Sequence, residues 1–134
     1  MSVPPLVRRL IVCDRVAINP ADRGRLDLYG VTDKLSPPAD ATFPLHWPSL
    51  TVLVELSACR GPVRGLIRLY TAETGIVVAE SPEHTLRLPN DPLATRRFSF
   101  KIDKVPFPSP GLYWVQFWCN GRFLEETALT LRPA

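Results

Sequence analysis

The cleanest alternation of apolar and polar positions in the chain runs from Leu50 to Ser57, where Leu50, Val52, Val54 and Leu56 alternate with Thr51, Leu53, Glu55 and Ser57. A period of two is the pattern of a strand with one face in a core, and the first set is the predicted core face. The same period recurs at Phe98, Phe100 and Ile102 against Arg97, Ser99, Lys101 and Asp103, and at Ile67 and Leu69 against Arg68 and Tyr70. The C-terminal fifth holds two β-rich runs flanking Asn120-Gly121. Both residues of that dipeptide tolerate positive φ, so the segment predicts a hairpin closed by a two-residue type I′ turn. In its first arm Tyr113, Val115, Phe117 and Cys119 share the core face, while Trp114, Gln116, Trp118 and Asn120 share the other.

The remaining segments follow the same logic. Leu6 to Ile18 predicts a first strand, bent near Asp14, and Arg25 to Leu35 a second that pairs with it. Pro37, Pro38, Pro44 and Pro48 make Ser36 to Pro48 a stiff, extended connection. Further strands are predicted at Val63 to Ala72, Ile76 to Glu80, His84 to Leu88 and Thr95 to Val105, with turns at Cys59-Arg60-Gly61-Pro62, Glu73-Thr74-Gly75 and Pro89-Asn90-Asp91-Pro92. Eight or nine short strands with turn signals between them predict an all-β, antiparallel, immunoglobulin-like sandwich with little or no helix. Residues 6–134 form its single domain, behind a short tail at 1–5.

Composition sharpens this. The 134 residues include 15 prolines and only 7 glycines, a proline density that long helices do not accommodate. The net charge is +3, with acidic residues interleaved among the basic ones. The densest basic spots, Arg8-Arg9, Arg96-Arg97, and Arg23 with Arg25, fall short of the runs that mark nucleic-acid binding, and none is expected. Cys13, Cys59 and Cys119 are odd in number and widely spaced, unlike a disulfide framework or a zinc site. Leu10 to Cys13 is too short for a signal peptide or a membrane span. Thiols without an export signal lead to the expectation of a cytoplasmic protein with no membrane association.

The sequence Leu10-Ile-Val-Cys-Asp14, the run Arg25-Leu-Asp-Leu-Tyr-Gly30, the proline-rich link, the Leu-Thr-Val-Leu-Val-Glu-Leu strand, Val105-Pro-Phe-Pro-Ser-Pro-Gly-Leu-Tyr113 and the closing Asn-Gly hairpin together resemble a bacterial family of unknown function. The resemblance covers nearly the whole chain. It implies a small, stand-alone bacterial β-sandwich and attaches no activity or cofactor to it. Trp114 and Trp118 stand where polar residues would be usual in that pattern.

Candidate chemistry is sparse. His46 and His84 are the only histidines, and a cysteine hydrolase built on Cys59 or Cys119 would need one of them within hydrogen-bond reach together with an orienting group. Glu125 and Glu126 are adjacent, so on a strand they point to opposite faces. Asp14, Asp22 and Asp27 lack the dense spacing of a calcium loop and suit turns better. Tyr113 after Pro-Gly at a strand start suggests a tyrosine corner, whose hydroxyl ties back to nearby backbone. Trp114 and Trp118, on one outward face, are the most suggestive pair. Were this hairpin to lie beside Leu50 to Ser57, Leu53 would join them in an apolar patch; alternatively the proline-rich segment with Trp47 would fold over and cover them. The expectation is a non-enzymatic interaction module without cofactor or metal, binding a second copy of itself or another protein. A carbohydrate or small-ligand platform on the same aromatic face is the alternative, and a hydrolase comes third.

Overall fold

A computed structural model describes residues 5–22, 24–58, 61–88, 91 and 93–134. Residues 1–4 of the expected tail at 1–5, Arg23, Cys59 and Arg60 of the first predicted turn, and Pro89, Asn90 and Pro92 of the later loop lie outside them. In chain order the strands are β1 (Leu6–Cys13), β2 (Arg15–Ile18), β3 (Leu26–Tyr29), β4 (Lys34–Leu35), β5 (Leu45–Ser57), β6 (Val63–Thr71), β7 (Val77–Glu80), β8 (His84–Leu86), β9 (Thr95–Phe107), β10 (Gly111–Cys119) and β11 (Arg122–Leu131). Among the described residues there are thus eleven strands and no helix, against the eight or nine strands expected. The difference lies in the first two predicted strands, each of which is divided in two. Asp14 breaks the first into β1 and β2, and residues 30–33 separate β3 from β4.

The strands with the strongest alternation sit at the centres of two packed sheets. β5 lies between β1 and β9, antiparallel to both. β10 lies between β6 and β11, also antiparallel. β4 runs parallel to β11 on its far edge, while β7 and β8 share the free edge of β6. The chain between β7 and β8 does not abandon that edge. Ser81 exchanges backbone and side-chain hydrogen bonds with Ile67, its N–H donating to the Ile67 carbonyl and its hydroxyl oxygen accepting from the Ile67 N–H, each at 2.9 Å. Near β4, Thr32 N–H donates to Val12 O and Thr130 N–H to Asp33 O, so this segment stitches one edge of the sandwich shut.

Inward residues of both sheets fill one core, as the alternation predicts. Leu50, Val52, Val54, Leu56, Phe100 and Ile102 come from one side. Ile67, Leu69, Tyr113, Val115, Phe117 and Cys119 come from the other. Side chains of this kind each contribute roughly 1.5–3 kcal/mol when fully buried, which makes this layer the main source of stability. The Asn120-Gly121 turn forms as expected, with φ of 51° and 75° at its two residues. Tyr113 forms the expected corner: its buried ring packs edge-on against Phe107, and its hydroxyl donates to the carbonyl oxygen of Ser109.

One departure from simple alternation repositions a predicted residue. β5 begins at Leu45 rather than Leu50, so part of the proline-rich connection is strand. From Leu50 onward the even-numbered residues of β5 face the core, but Leu45 and Trp47 pack against it too. β9 changes in step, from Phe100 and Ile102 to Val105 and Phe107. The switch falls where Pro48 and Lys104 lie between the pairs Trp47 with Val105 and Ser49 with Asp103, and Lys104 takes a left-handed φ of 52°. Register across the pair is unbroken, so the two strands change face together there.

Candidate functional site

The outer face of the β11-β10-β6 layer is built around Trp114, Gln116 and Trp118, all half-buried. Register sets their neighbours. On β6, Trp114 faces Tyr70, Gln116 faces Arg68, and Trp118 faces Leu66. On β11, Trp114 faces Ala128, Gln116 faces Glu126, and a bulge after Phe117 brings Phe123 opposite Trp118. The Trp118 indole N–H donates to Gln116 Oε1 at 3.0 Å, and Gln116 Nε2 donates to Glu126 Oε1 at 2.9 Å. The two indoles are thus separated by a polar bridge. At strand rise their Cα atoms stand about 13–14 Å apart.

Trp118 is the centre of this face. Phe123 meets its ring edge-on at 6.1 Å between centroids, and the Arg68 guanidinium lies over it at 4.6 Å. Arg68 is held in turn by Glu80, Nε to Oε2 at 2.9 Å. Burial, the largest influence on the Arg68 guanidinium, acts to lower its pKa; hydrogen bonds and charge attraction from Glu80 and Tyr70 together outweigh it, so the net shift is upward. Leu66 belongs to this outer face yet is buried, opposite Trp118 across the strand pair. Arg68, Tyr70 and Gln116 were legible as outward residues, but the register that gathers them about Trp118 was not.

Two expected members of the patch are elsewhere. Leu53 lies on β5, in the other sheet, where the β2-β3 ribbon packs over it together with Ile11, Leu26 and Leu28. It is only 5% exposed and cannot join the tryptophans. Trp47 pairs with Val105 and packs against the inner core, because the switch at Pro48 and Lys104 turns it inward. The proline-rich segment therefore does not bring Trp47 over Trp114 and Trp118.

A model of the family of unknown function DUF6941 matches residues 8–132. The chain belongs to this family. No curated protein matches it. Among solved structures, an immunoglobulin-like protein from Pseudomonas aeruginosa aligns over 97% of this chain and 98% of its own, at 11% identity and a TM-score of 0.44. An alkylpurine DNA glycosylase, AlkC, from Pseudomonas fluorescens aligns over 92% of this chain but 30% of its own, at 13% identity and a TM-score of 0.47. A glycosyl hydrolase family 2 member from Bacteroides cellulosilyticus aligns over 60% of this chain and 11% of its own, at 18% identity and a TM-score of 0.40. This chain therefore spans under a third of the two enzymes. The strands of the DUF6941 chain themselves make it an all-β sandwich of mainly antiparallel sheets.

The other candidate residues of the DUF6941 chain are dispersed. Cys119 is buried in the core beside Gly65, which pairs on its far side with His84. Two strand spacings, roughly 9–10 Å, separate the two backbones. The His84 ring packs on Phe100 instead, 5.7 Å between centroids. His46 is exposed opposite Pro106, and Cys59 lies outside the described residues. Burial pushes the Cys13 thiol up from its ordinary pKa, and the neighbouring Asp14 carboxylate adds to the shift. Asp22 and Asn19 accept backbone N–H groups of Gly24 and Ala21, the turn duty expected of them. Glu125 accepts the backbone N–H of Glu126. Among the described residues no three metal-ligating side chains come together, and no helix is long and apolar enough to cross a membrane.

Proposed function

We propose that the DUF6941 chain is a non-catalytic interaction module that pairs with a second copy of itself through the outer face of β11, β10 and β6. The observation behind this reading is a contrast between the two sheets. On the β1-β5-β9 sheet the chain covers its own outer apolar residue, Leu53, with the β2-β3 ribbon. On β10 the larger Trp114 and Trp118 are only half-buried, and Phe123 beside them is 45% exposed. Tryptophan, tyrosine and arginine are the residues that dominate interface energetics, and Trp114, Trp118, Tyr70 and Arg68 are gathered here.

Charge favours a second copy as the occupant. β6 carries Arg64 and Arg68, which Glu83 and Glu80 of the same chain already pair, β11 carries Arg122, Glu125 and Glu126, and the tryptophan row lies between them. A two-fold axis along β10 would lay Arg68 of one copy over Glu126 of the other, because both stand level with Gln116 on either side of β10, a self-complementary arrangement. The carbohydrate alternative is weaker, because a sugar ring stacks on an open aromatic face and Arg68 already occupies one over Trp118. The test is tryptophan quenching by acrylamide in a Trp47→Phe background, measured across protein concentrations. Self-association predicts that quenching falls as concentration rises; quenching independent of concentration would count against it.

A further inference from the structure

The outer face of the β1-β5-β9 sheet carries a charged row that the aromatic face does not involve. Arg9 on β1, Glu55 on β5 and Arg97 on β9 are directly opposite one another across the three strands. Arg97 Nε meets Glu55 Oε2 at 2.9 Å, and Arg9 Nε approaches Glu55 Oε1 at 3.8 Å. Arg97 also donates from a terminal nitrogen to the Gly24 carbonyl oxygen at 3.2 Å, tying the row to the loop that precedes β3. Arg25, from the same loop, completes the rim of a cleft of about 240 Å³. Leu26, Leu28 and Leu53 provide its apolar wall.

A cross-strand ion pair that merely helps the sheet would need one arginine for one carboxylate. Here two guanidinium groups, those of Arg9 and Arg97, meet a single carboxylate whose side chain is 13% exposed, Arg25 lines the same cleft, and Glu55 is the only acid lining it among the described residues. The balance is two positive charges in excess beside an apolar wall. Guanidinium groups present several donors in a plane and favour oxyanions, the more so when another group already orients them. The volume lies below the roughly 300–1,000 Å³ of sites for drug-sized ligands, which limits the occupant to something small.

We infer that this cleft binds a small organic oxyanion, a phosphate or carboxylate on a compact apolar body. The guanidinium groups of Arg9, Arg25 and Arg97 take the anion, and Leu26, Leu28 and Leu53 take the body. Glu55 positions Arg97 and Arg9 rather than contacting the ligand. The site stands on the opposite sheet from the aromatic face, so it is independent of self-association.

The test is a backbone-amide NMR titration with phenyl phosphate and with benzoate, using phenol and inorganic phosphate as controls. Saturable shifts at Gly24, Leu26 and Arg97 are expected with at least one of the two amphiphilic anions. Loss of one charge-assisted contact should weaken binding roughly tenfold in Arg25→Gln and in Arg9→Gln. The amide spectrum itself reports whether each variant remains folded. Arg25→Gln leaves the Arg9-Glu55-Arg97 row in place, so it separates ligand binding from sheet stability. No saturable shift with either anion, or wild-type affinity in both variants, would overturn the proposal. Equal binding of phenol would overturn its anionic half, and equal binding of inorganic phosphate its apolar half.

Discussion

The Arg68 guanidinium lies 4.6 Å from the centre of the Trp118 ring, reaching diagonally from β6 to β10 while Glu80 holds it from β7. Three strands thus meet over one indole. A cation over an aromatic face is worth about 0.5–1 kcal/mol where solvent has access. A double-mutant cycle of Arg68→Ala and Trp118→Leu, read by chemical denaturation, should give a coupling energy of that size. Additive single effects would mean that the stacking contributes nothing to stability.

Tyr113 anchors the end of the sandwich through Ser109. Its phenolic O–H donates to the Ser109 carbonyl, and its oxygen accepts from the Ser109 N–H at 3.4 Å. Tyr113→Phe keeps the buried ring but leaves that backbone without its partner, which should cost about 1–2 kcal/mol in unfolding free energy. Because only the backbone of Ser109 is involved, Ser109→Ala should be close to neutral. An equal loss in the two variants would contradict the tyrosine-corner assignment.

Gly65 allows close approach between β6 and the core. A Cβ there would stand 2.8 Å from Leu86 Cδ1 and 3.0 Å from Phe117 Cε1. Leu86 can shift a terminal methyl, whereas the Phe117 ring is fully buried. Overpacking costs about 1–3 kcal/mol, and replacing glycine returns roughly 0.4–1 kcal/mol through the unfolded chain. Gly65→Ala should therefore destabilise the fold by about 1 kcal/mol, and by less in a Leu86→Val background. Thermal or urea denaturation decides it, and a more stable Gly65→Ala protein would refute the packing argument.

Cys13 is 1% exposed, and its folded-state pKa lies above the value it has in the unfolded chain. The unfolded thiol therefore loses its proton first as pH rises. Between the unfolded and folded values the native state binds more protons, so stability falls with increasing pH. The contribution is fully present at neutral pH and declines from about pH 8.5 upward. Urea unfolding of wild type and Cys13→Ala between neutral and alkaline pH should show a steeper decline in wild type. Parallel curves would remove Cys13 from the alkaline limit.

Much of this was legible in local pattern. Tyr113, Val115, Phe117 and Cys119 occupy the predicted core face because a strand has only two faces and the apolar residues chose one. Asn120-Gly121 forms its turn because both residues accept positive φ. Leu53 was misplaced for a non-local reason: alternation places it outward but cannot say that the β2-β3 ribbon will cover it. Trp47 was misplaced because the face switch is made jointly by two strands, and a left-handed Lys104 leaves no signal in a hydrophobic pattern. The row of Arg9, Glu55 and Arg97 exists only through register between segments up to 88 positions apart.

Self-association through the aromatic face is tested most directly by the solution mass. Light scattering after size exclusion, at two protein concentrations about a hundredfold apart, should show wild type rising toward twice its 15.0 kDa chain mass. A folded Trp114→Arg, Trp118→Arg variant should stay at the single-chain mass at both concentrations, because burying two new charges in the interface is costly. A wild-type protein of single-chain mass at both concentrations, or a variant that still doubles, would contradict pairing through β11, β10 and β6.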